Sequence, residues 1–426
     1  MLIRFTLKNY RSFRDAQELS LVASSAKEQS DSVIHVSGLE EGLLPIAAIY
    51  GPNASGKSNL FHALQFFVQA IEHSQRSWKP DAGVPASPFM LDNRDKEASE
   101  FQLDFVSNNS RFQYGFSHNS EQFLKEWLHS YPSGRKQVWF ERDTDSAGQI
   151  KFGKHLLGEN RAIETMTRKN SLFLSAAAQS NHEMILPLFA WLTSKIRFLS
   201  GSRSTISTDQ AQKLAKLETK DRILRLLSEA DLGIVGMTVE KEPIDEKFAE
   251  IIDDMLKRIS LITNSTTPIQ APREVYKVIF QHRGKNNANI PLTNQNESAG
   301  TLAFLSLLGP ALETIDSGGV LCVDELDASL HPMLALEVVR LFRNLKKNDM
   351  QVQLIFNTHD VNLLDSSLLR RDEVWFTEKD NEGGSHLYAL SDFAPRKHEN
   401  LKRGYLQGRY GAVPFLSPMS LDAPEE

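Results

Sequence analysis

A lysine and a serine follow the second of two glycines in residues 51–58, whose sequence is GPNASGKS. This spacing, G-x-x-x-x-G-K-[ST], lets backbone N–H groups surround phosphate oxygens, while the lysine reaches the β- and γ-phosphates and the serine hydroxyl binds Mg²⁺. An apolar segment, residues 44–50, comes before the motif, and a segment with helical spacing, residues 59–73, comes after it. Because the motif needs a strand before it and a helix after it, we predict a phosphate-binding loop containing Lys57 and Ser58 rather than an ordinary glycine turn.

Two carboxylates, Asp324 and Glu325, directly follow the apolar residues 320–323. Acidic residues at the end of a strand lie at the edge of the sheet where phosphates bind. We expect Asp324 to hold Mg²⁺, and Glu325 to orient and deprotonate an attacking water near the γ-phosphate. Two acids after a strand mean little alone, but after a phosphate-binding loop they indicate nucleotide hydrolysis.

A third apolar segment, residues 354–357, is followed closely by His359. A single histidine is usually structural, but an imidazole at a strand end can also donate to or accept from a γ-phosphate. Its position after the loop and the acidic pair favours the functional interpretation.

Residues 296–301 read NESAGT and precede an apolar segment with helical spacing. Ser298 and Gly300 are therefore expected at the N-terminus of a helix, where backbone N–H groups bind anions. An ordinary helix cap is the alternative. The position shortly before the acidic pair favours a nucleotide contact.

Composition excludes several classes of protein. The 426 residues carry a formal net charge of -6, which provides no overall electrostatic reason to bind nucleic acid. Cys322 is the only cysteine, so a disulfide framework and a zinc ribbon are excluded. No signal-peptide pattern and no apolar run of membrane-spanning length is present. We expect a cytoplasmic protein with no membrane contact.

The order of the patterns predicts an α/β chain interrupted by insertions. Residues 101–142 form short alternating segments, as in an antiparallel β-meander, and residues 208–258 have helical spacing. From Tyr276 onward, beginning with VIFQH, strands and helices alternate, as in a parallel sheet covered by helices. The expected domains are a first nucleotide-binding lobe at 1–180, with the meander near 95–150, a helical insertion at 181–270, a second lobe at 271–414 and a flexible tail at 415–426.

Taken in this order, the motifs resemble those of SMC, RecF and related ABC-class ATPases. The matching segments are residues 51–58, including Asn53, with the Walker A loop; Arg11 and Ser12 with the N-terminal element that contacts nucleotide; residues 298–301 with the signature in the form E-S-x-G-T; Asp324 and Glu325 with Walker B; residues 326–329 with the D-loop; and His359 with the switch histidine. The resemblance implies an α/β fold of the ABC-type ATPase head, a P-loop NTPase, with an antiparallel β subdomain and a helical insertion.

The resemblance also implies a site for ATP and Mg²⁺ in which Glu325 and His359 are catalytic. The residues implied to bind nucleotide are Arg11, Ser12, Asn53, Ala54, Ser55, Gly56, Lys57, Ser58, Asn59 and Asp327 of one subunit, with Ser298 and Gly300 of another. Those implied at the metal are Ser58, Asp324 and Gln179, the last as the Q-loop candidate because it precedes the predicted helical insertion. One loop and one signature in a chain imply a head-to-tail dimer or a higher oligomer. The guanine-binding pattern [NT]-K-x-D is absent from the sequence, which favours ATP.

Three further segments narrow the resemblance. Residues 330–332, 372–379 and 405–414 are similar to those of bacterial stand-alone ATPases from abortive-infection and restriction-linked loci. The ATPase half of OLD-family nucleases is also similar, but there a TOPRIM nuclease domain follows, and here only a short acidic tail follows Pro414. This implies a separately encoded nuclease or toxin as effector.

Two functions remain open at this point. In the first, an ATP-driven sensor and scaffold controls a separate effector during anti-phage defence. In the second, the chain clamps DNA during repair or recombination, as RecF-like proteins do. DNA or a phage protein is a possible partner in either. Salt-dependent DNA binding that stimulates hydrolysis favours the second function, whereas the acidic balance favours the first.

Overall fold

The computed structural model describes residues 1–25, 30–92, 94–144, 150–200, 206, 208–214, 217–230, 232–263, 273–345, 351–396 and 399–414. The predicted tail at 415–426 lies outside them. The chain forms two compact units. The first comprises Met1–Gly201, Thr314–Asp327 and Ala335–Glu426, and the second comprises Ser202–Glu313 and Ala328–Leu334.

The helices and strands, in chain order, run as follows. Up to residue 200 they are β1 (Leu2–Lys8), β2 (Gln17–Ser20), β3 (Ile46–Tyr50), α1 (Lys57–His73), β4 (Ser99–Ser107), β5 (Ser110–His118), β6 (Phe123–Tyr131), β7 (Gln137–Asp143), β8 (Ile150–Phe152), α2 (Asn160–Met166), α3 (Phe173–Gln179), α4 (Leu186–Ser194) and β9 (Ile196–Leu199). They continue with α5 (Thr208–Leu214), α6 (Leu217–Glu229), β10 (Ile234–Pro243), α7 (Glu246–Thr263), β11 (Glu274–Arg283), β12 (Asn289–Thr293), α8 (Ala299–Ser317), β13 (Gly319–Val323), α9 (Pro332–Arg343), β14 (Val352–Asn357), β15 (Val374–Lys379), β16 (Ser385–Ala389) and α10 (Leu401–Leu406). Within the ranges given above, no helix is both long enough and apolar enough to cross a membrane.

A six-stranded sheet in the first unit has the strand order β16-β15-β3-β14-β13-β9. Strand β16 is antiparallel to β15, and all other neighbours are parallel. Every residue of β3, β13 and β14 is buried, as expected for strands that are covered on both faces. Because these strands are parallel, the segments that follow β3, β13 and β14 lie at one edge of the sheet.

A seven-stranded antiparallel sheet, β2-β1-β4-β5-β6-β7-β8, confirms the meander predicted for residues 101–142. The apolar face of α1, including Leu60, Phe67 and Ile71, is buried in the same core as this sheet. Phe67 stacks on Phe116 of β5, with ring centroids 5.4 Å apart. Packing against the antiparallel sheet therefore fixes the position of α1, and with it the position of the loop that precedes α1.

A buried glutamine joins the two sheets of the first unit. The side chain of Gln353, on β14, accepts from the backbone N–H of Leu2 at 2.7 Å and donates to the Leu2 carbonyl at 2.9 Å and the Leu44 carbonyl at 3.1 Å. Since a buried amide must be hydrogen-bonded to be tolerated, these bonds specify how β1 meets β14.

The second unit contains a three-stranded antiparallel sheet, β10-β11-β12. The segment VIFQH, predicted to begin the parallel sheet, lies instead in β11, and that prediction is wrong. Along β11, Val278 and Phe280 are buried while Ile279 and Gln281 are partly exposed. This alternation is typical of an antiparallel strand with one covered face, whereas β3, β13 and β14 are buried along their whole length.

Residues 181–270, predicted as a helical insertion, contain two strands as well as helices. Strand β9 pairs in parallel with β13 and belongs to the six-stranded sheet of the first unit. Strand β10 interrupts the stretch 208–258 that was predicted to be helical. In a short segment the spacing of apolar residues can fit both a helix and a strand, so the spacing alone does not determine which of the two forms. The domain limits themselves remain a prediction.

Candidate nucleotide-binding site

The loop between β3 and α1 has the backbone conformation that a phosphate cradle requires. Gly56 has φ 114°, and a Cβ atom there would lie 2.4 Å from the Ser385 hydroxyl oxygen. Helix α1 begins at Lys57 without a side-chain cap, so its first N–H groups are left for a ligand. Asn53 and Ala54 are exposed at the tip of the loop. The N-terminus of a long helix behind such a loop favours an anion.

Lys57 is a largely buried cation that lacks an anion. Its ammonium group donates to the carbonyls of Gly51 at 2.7 Å and Pro52 at 3.0 Å. No carboxylate of the described residues lies within salt-bridge distance of it. Burial lowers the pKa of Lys57 to about 8, against the opposing charges of Asp327 and Glu325. A phosphate group fits this position because it supplies the missing charge.

Ser58 and Asp324 provide adjacent oxygen ligands. The Ser58 hydroxyl donates to Asp324 Oδ1 at 2.9 Å, which joins the first turn of α1 to the end of β13. Hydroxyl and carboxylate oxygens suit Mg²⁺, which usually takes few protein ligands and completes its shell with phosphate and water. Among the residues that the structure describes, no group of three or more His, Cys, Asp or Glu could hold a metal alone. The pair fits Mg²⁺ bound together with a nucleotide.

Asn357, which sequence reasoning missed, holds both acidic residues. Its side-chain amide donates to Asp324 Oδ1, and its side-chain oxygen accepts from the backbone N–H of Glu325 at 2.6 Å. Glu325 is exposed and has φ 56°, a left-handed conformation that L-residues rarely adopt. The hydrogen bond from Asn357 on β14 holds the Glu325 backbone in this conformation. The sequence contains a signal for this role, because Asn357 is the polar last residue of the otherwise apolar segment 354–357.

His359 and Asp327 are brought together at the same edge. The backbone N–H of His359 lies 3.3 Å from both carboxylate oxygens of Asp327. Burial lowers the pKa of His359, the Lys57 charge lowers it further, and the carboxylates of Asp327 and Glu325 oppose this. The lowered pKa favours the neutral imidazole, which can donate a hydrogen bond to a phosphate oxygen.

Arg11 and Asn59 line the rim beside α1. Arg11 Nη1 donates to Asn59 Oδ1 at 3.3 Å and lies 2.6 Å from His62 Nδ1. Burial and the Arg11 charge lower the pKa of His62, so its ring accepts from Arg11. His62 is a second residue that sequence reasoning missed, and it orients Arg11 one turn beyond Ser58.

Ser12 and Ser55 have hydroxyl groups that are bonded within the protein, and their predicted contact with nucleotide remains a prediction. The Ser12 hydroxyl accepts from Asn59 Nδ2 at 2.8 Å, and its oxygen lies 2.8 Å from the Ser385 hydroxyl oxygen. Ser55 pairs its hydroxyl with that of Thr377 at 2.6 Å, and Ser385 donates to the Ser55 carbonyl at 2.6 Å. Both hydroxyls are buried. They support the loop from beneath, against β15 and β16.

Gln179 does not reach this site, and its assignment to the metal is wrong. It ends α3, in which the Ser175 hydroxyl donates to the Ile71 carbonyl at 2.5 Å, near the C-terminal end of α1. Ile71 is roughly 20 Å along α1 from Lys57 at 1.5 Å per residue. The strand that ends beside the site is β9, since the Asp324 N–H donates to the Leu199 carbonyl at 2.8 Å. Leu199 and not Gln179 is therefore the residue of this part of the chain that contacts Asp324.

The predicted signature lies in the second unit. The Ser298 hydroxyl accepts from the Thr301 backbone N–H at 3.0 Å, so it caps α8, as the alternative interpretation of this serine expected. Ser298 is exposed, and a Cβ at Gly300 would lie 3.1 Å from the Ser329 carbonyl. Glu297 Oε1 is held by His282 Nε2 at 2.5 Å. A cap and a surface available to another subunit are compatible, and the contact in trans remains a prediction.

Comparison with known protein families gives one match. The family model described as "AAA domain, putative AbiEii toxin, Type IV TA system" matches residues 46–365. No curated protein matches the sequence.

Among solved structures, the chain is similar to the SMC head domain from Thermotoga maritima, with 15% identity, a TM-score of 0.36 and coverage of 91% of this chain and 98% of that chain. An SmcHead bound to the C-winged helix domain of ScpA has 15% identity, a TM-score of 0.39 and coverage of 91% and 97%. An Smc head domain with an extended coiled coil, bound to the C-terminal domain of ScpA derived from Pyrococcus furiosus, has 13% identity, a TM-score of 0.37 and coverage of 91% and 96%.

Proposed function

We propose that the chain, which belongs to the family described as AAA domain, putative AbiEii toxin, Type IV TA system, binds ATP with Mg²⁺ and hydrolyses it to ADP and phosphate. The observation that carries this proposal is the 2.9 Å contact between Ser58 and Asp324. It brings the loop after β3 and the acidic pair after β13 to one edge of the parallel sheet, beside the buried cation of Lys57.

In the proposed mechanism each group has one task. Lys57 would exchange its bonds to the loop carbonyls for bonds to the β- and γ-phosphates, and Ser58 and Asp324 would hold Mg²⁺. The metal, when bound, neutralises charge on the phosphate oxygens. Glu325 orients the attacking water and takes its proton, and the neutral ring of His359 donates to the γ-phosphate. Asn357 orients the Asp324 carboxylate and holds the backbone of Glu325 in place.

We further infer that two chains complete each site head to tail. The support is that Ser298 is exposed on the second unit and leads a long helix, so that its loop can meet a γ-phosphate bound to another chain. Loss of the γ-phosphate would remove a group that both chains contact, and the pair would then loosen.

The wider role proposed here is that of an ATP-driven sensor and scaffold, in the cytoplasm, controlling a separately encoded nuclease or toxin in anti-phage defence. The description of the family, which names a putative toxin of a toxin–antitoxin system, supports this setting. The DNA-clamping alternative is not favoured, and the net charge of -6 offers it no support.

The ATPase proposal is tested with Glu325→Gln. We expect phosphate release to fall by about 100-fold or more, as for loss of a general base, while a nucleotide-bound dimer accumulates in light scattering with ATP. Glu337→Gln is the matched control, because Glu337 is exposed and pairs with Arg340 on α9. Hydrolysis by Glu325→Gln at the wild-type rate would show that Glu325 is not the base.

The wider role is tested by co-purification with the product of the neighbouring gene, with and without ATP, followed by mass determination. An ATP-dependent complex is the expected result. A chain that purifies alone and whose hydrolysis is stimulated by DNA in a salt-dependent manner would contradict the scaffold role.

A further inference from the structure

Helix α7 of the second unit has an apolar stripe that no described residue of the unit covers. Asp245 caps the helix, accepting from the backbone N–H groups of residues 247 and 248 at 3.0 and 3.2 Å. Ala249 is buried on the inner face. Phe248, Ile251 and Met255 are 57%, 57% and 58% exposed, and their i, i+3, i+7 spacing places them on one side. Three large apolar side chains in a row on a surface helix mark a contact with another molecule.

The charges beside the stripe indicate what that molecule is. Lys247 and Asp254 are seven residues apart and therefore lie on the same flank of the stripe. Asp254 accepts from Arg258 Nε at 2.9 Å, and no salt bridge of Lys247 is found among the described residues. In an antiparallel pair of α7 helices centred on Ile251, Lys247 of each copy would face Asp254 of the other. In a parallel pair the same flank of the two copies would lie on opposite sides of the contact, so Lys247 of one copy would not meet Asp254 of the other.

We propose that the occupant is a second copy of this chain, with its α7 antiparallel to the first, in a contact that needs no nucleotide. In this pairing Ile251 meets its own counterpart at the twofold axis, and Phe248 of one copy packs on Met255 of the other. The interface is isologous, so each contact between two different residues occurs twice, while the Ile251–Ile251 contact occurs once. It goes beyond the proposed ATP-dependent pairing, because it uses α7 and none of the groups that bind phosphate.

The pairing is tested by single-cysteine cross-linking without nucleotide under mild oxidation with copper phenanthroline. The native Cys322 is fully buried and provides no background. Ile251→Cys should form a disulfide-linked dimer. Phe248→Cys alone and Met255→Cys alone should not, since each would lie roughly 9 Å or more along the helices from its counterpart, beyond disulfide reach. A mixture of these two variants should cross-link.

Each alternative arrangement has its own outcome. Cross-linking of Phe248→Cys alone and Met255→Cys alone would show parallel helices, and no cross-link from Ile251→Cys would overturn the proposal. Lys57→Ala in the Ile251→Cys background should leave the cross-link unchanged, so failure of ATP binding and failure of the α7 contact are separable.

Sedimentation without nucleotide provides a second measurement. Ile251→Asp should weaken dimerisation by about tenfold or more, as for loss of an interface hot spot, and Ile290→Asp, at another exposed apolar residue of the unit, should not. Lys247→Asp should also weaken it, and adding Asp254→Lys should restore it. A double variant no better than Lys247→Asp alone would contradict the antiparallel register.

Discussion

The side-chain amide of Asn357 donates to the carboxylate of Asp324, although the two residues end different strands of the parallel sheet. The same side chain accepts from the backbone N–H of Glu325. One amide therefore orients the proposed metal ligand and also holds the next residue in its left-handed conformation.

We therefore expect Asn357→Ala to lower kcat for ATP hydrolysis by about 10- to 100-fold, the usual effect of removing a residue that orients a metal ligand. The KM should change little, because Lys57 and the loop are untouched. Steady-state phosphate release measures both constants. Asn344→Ala, at an exposed asparagine after α9, is the control. An Asn357→Ala enzyme with raised KM and unchanged kcat would contradict a positioning role.

ATP affinity should depend on pH through Lys57. Burial lowers the pKa of its ammonium in the free protein to about 8, and bound phosphates raise it again. Below pH 8 the group is already charged, whereas above pH 8 binding must take up a proton. The Kd for ATP at constant Mg²⁺ should then rise by up to about tenfold per pH unit above 8.

Isothermal calorimetry at pH 9 in two buffers of different ionisation enthalpy should detect the proton uptake. Lys57→Arg retains its charge at all these pH values, so any affinity that remains should not follow the same slope. A wild-type Kd that is constant from pH 7 to 9.5 would exclude this titration.

The composite site predicts complementation between two inactive variants. Lys57→Ala loses the phosphate contact and Ser298→Ala loses the proposed contact in trans. In a mixed dimer one of the two sites has both groups intact. The mixture should therefore recover about a quarter of wild-type hydrolysis if chains pair at random. Separate preparations of each variant are the controls, and a mixture no more active than their average would argue against head-to-tail sharing.

Stability should depend on pH through Glu373. Burial raises the pKa of its carboxyl to about 7, against the lowering effect of Arg343. For an acid with a raised pKa the folded state retains the proton, so the free energy of unfolding falls as the pH rises from about 4.5 to 7. Removing Arg343 leaves the buried carboxylate without its cation and extends this loss to higher pH.

Arg343→Met should accordingly lower the free energy of unfolding by about 3 kcal/mol at pH 8, the usual cost of breaking a buried ion pair, and by less at pH 6. Denaturant titrations at both pH values measure the difference. Arg340→Met is the matched control on α9, because Arg340 pairs with an exposed glutamate, and it should change stability by less than about 1 kcal/mol. An equal loss at the two pH values would exclude a raised pKa of Glu373.

The sequence by itself determined the phosphate-binding loop and the identity of its chemical groups. Residues 51–58 fold within one strand–loop–helix unit, where glycine conformations and a helix N-terminus are local properties. The order of Asp324, Glu325 and His359 after apolar strands was also readable, because parallel strands end at a common edge.

Only the tertiary structure decided which residues meet from distant parts of the chain. Asn357 holds Asp324, and Ser385 contacts both Ser12 and Ser55. Strand β9, and not the helix that ends at Gln179, ends beside Asp324. Each of these contacts depends on the order of the strands in the sheet and on the direction of the helices. The spacing of apolar residues along the sequence determines neither. The antiparallel placement of β11 was missed for the same reason, since pairing partners, and not spacing, determine to which sheet a strand belongs.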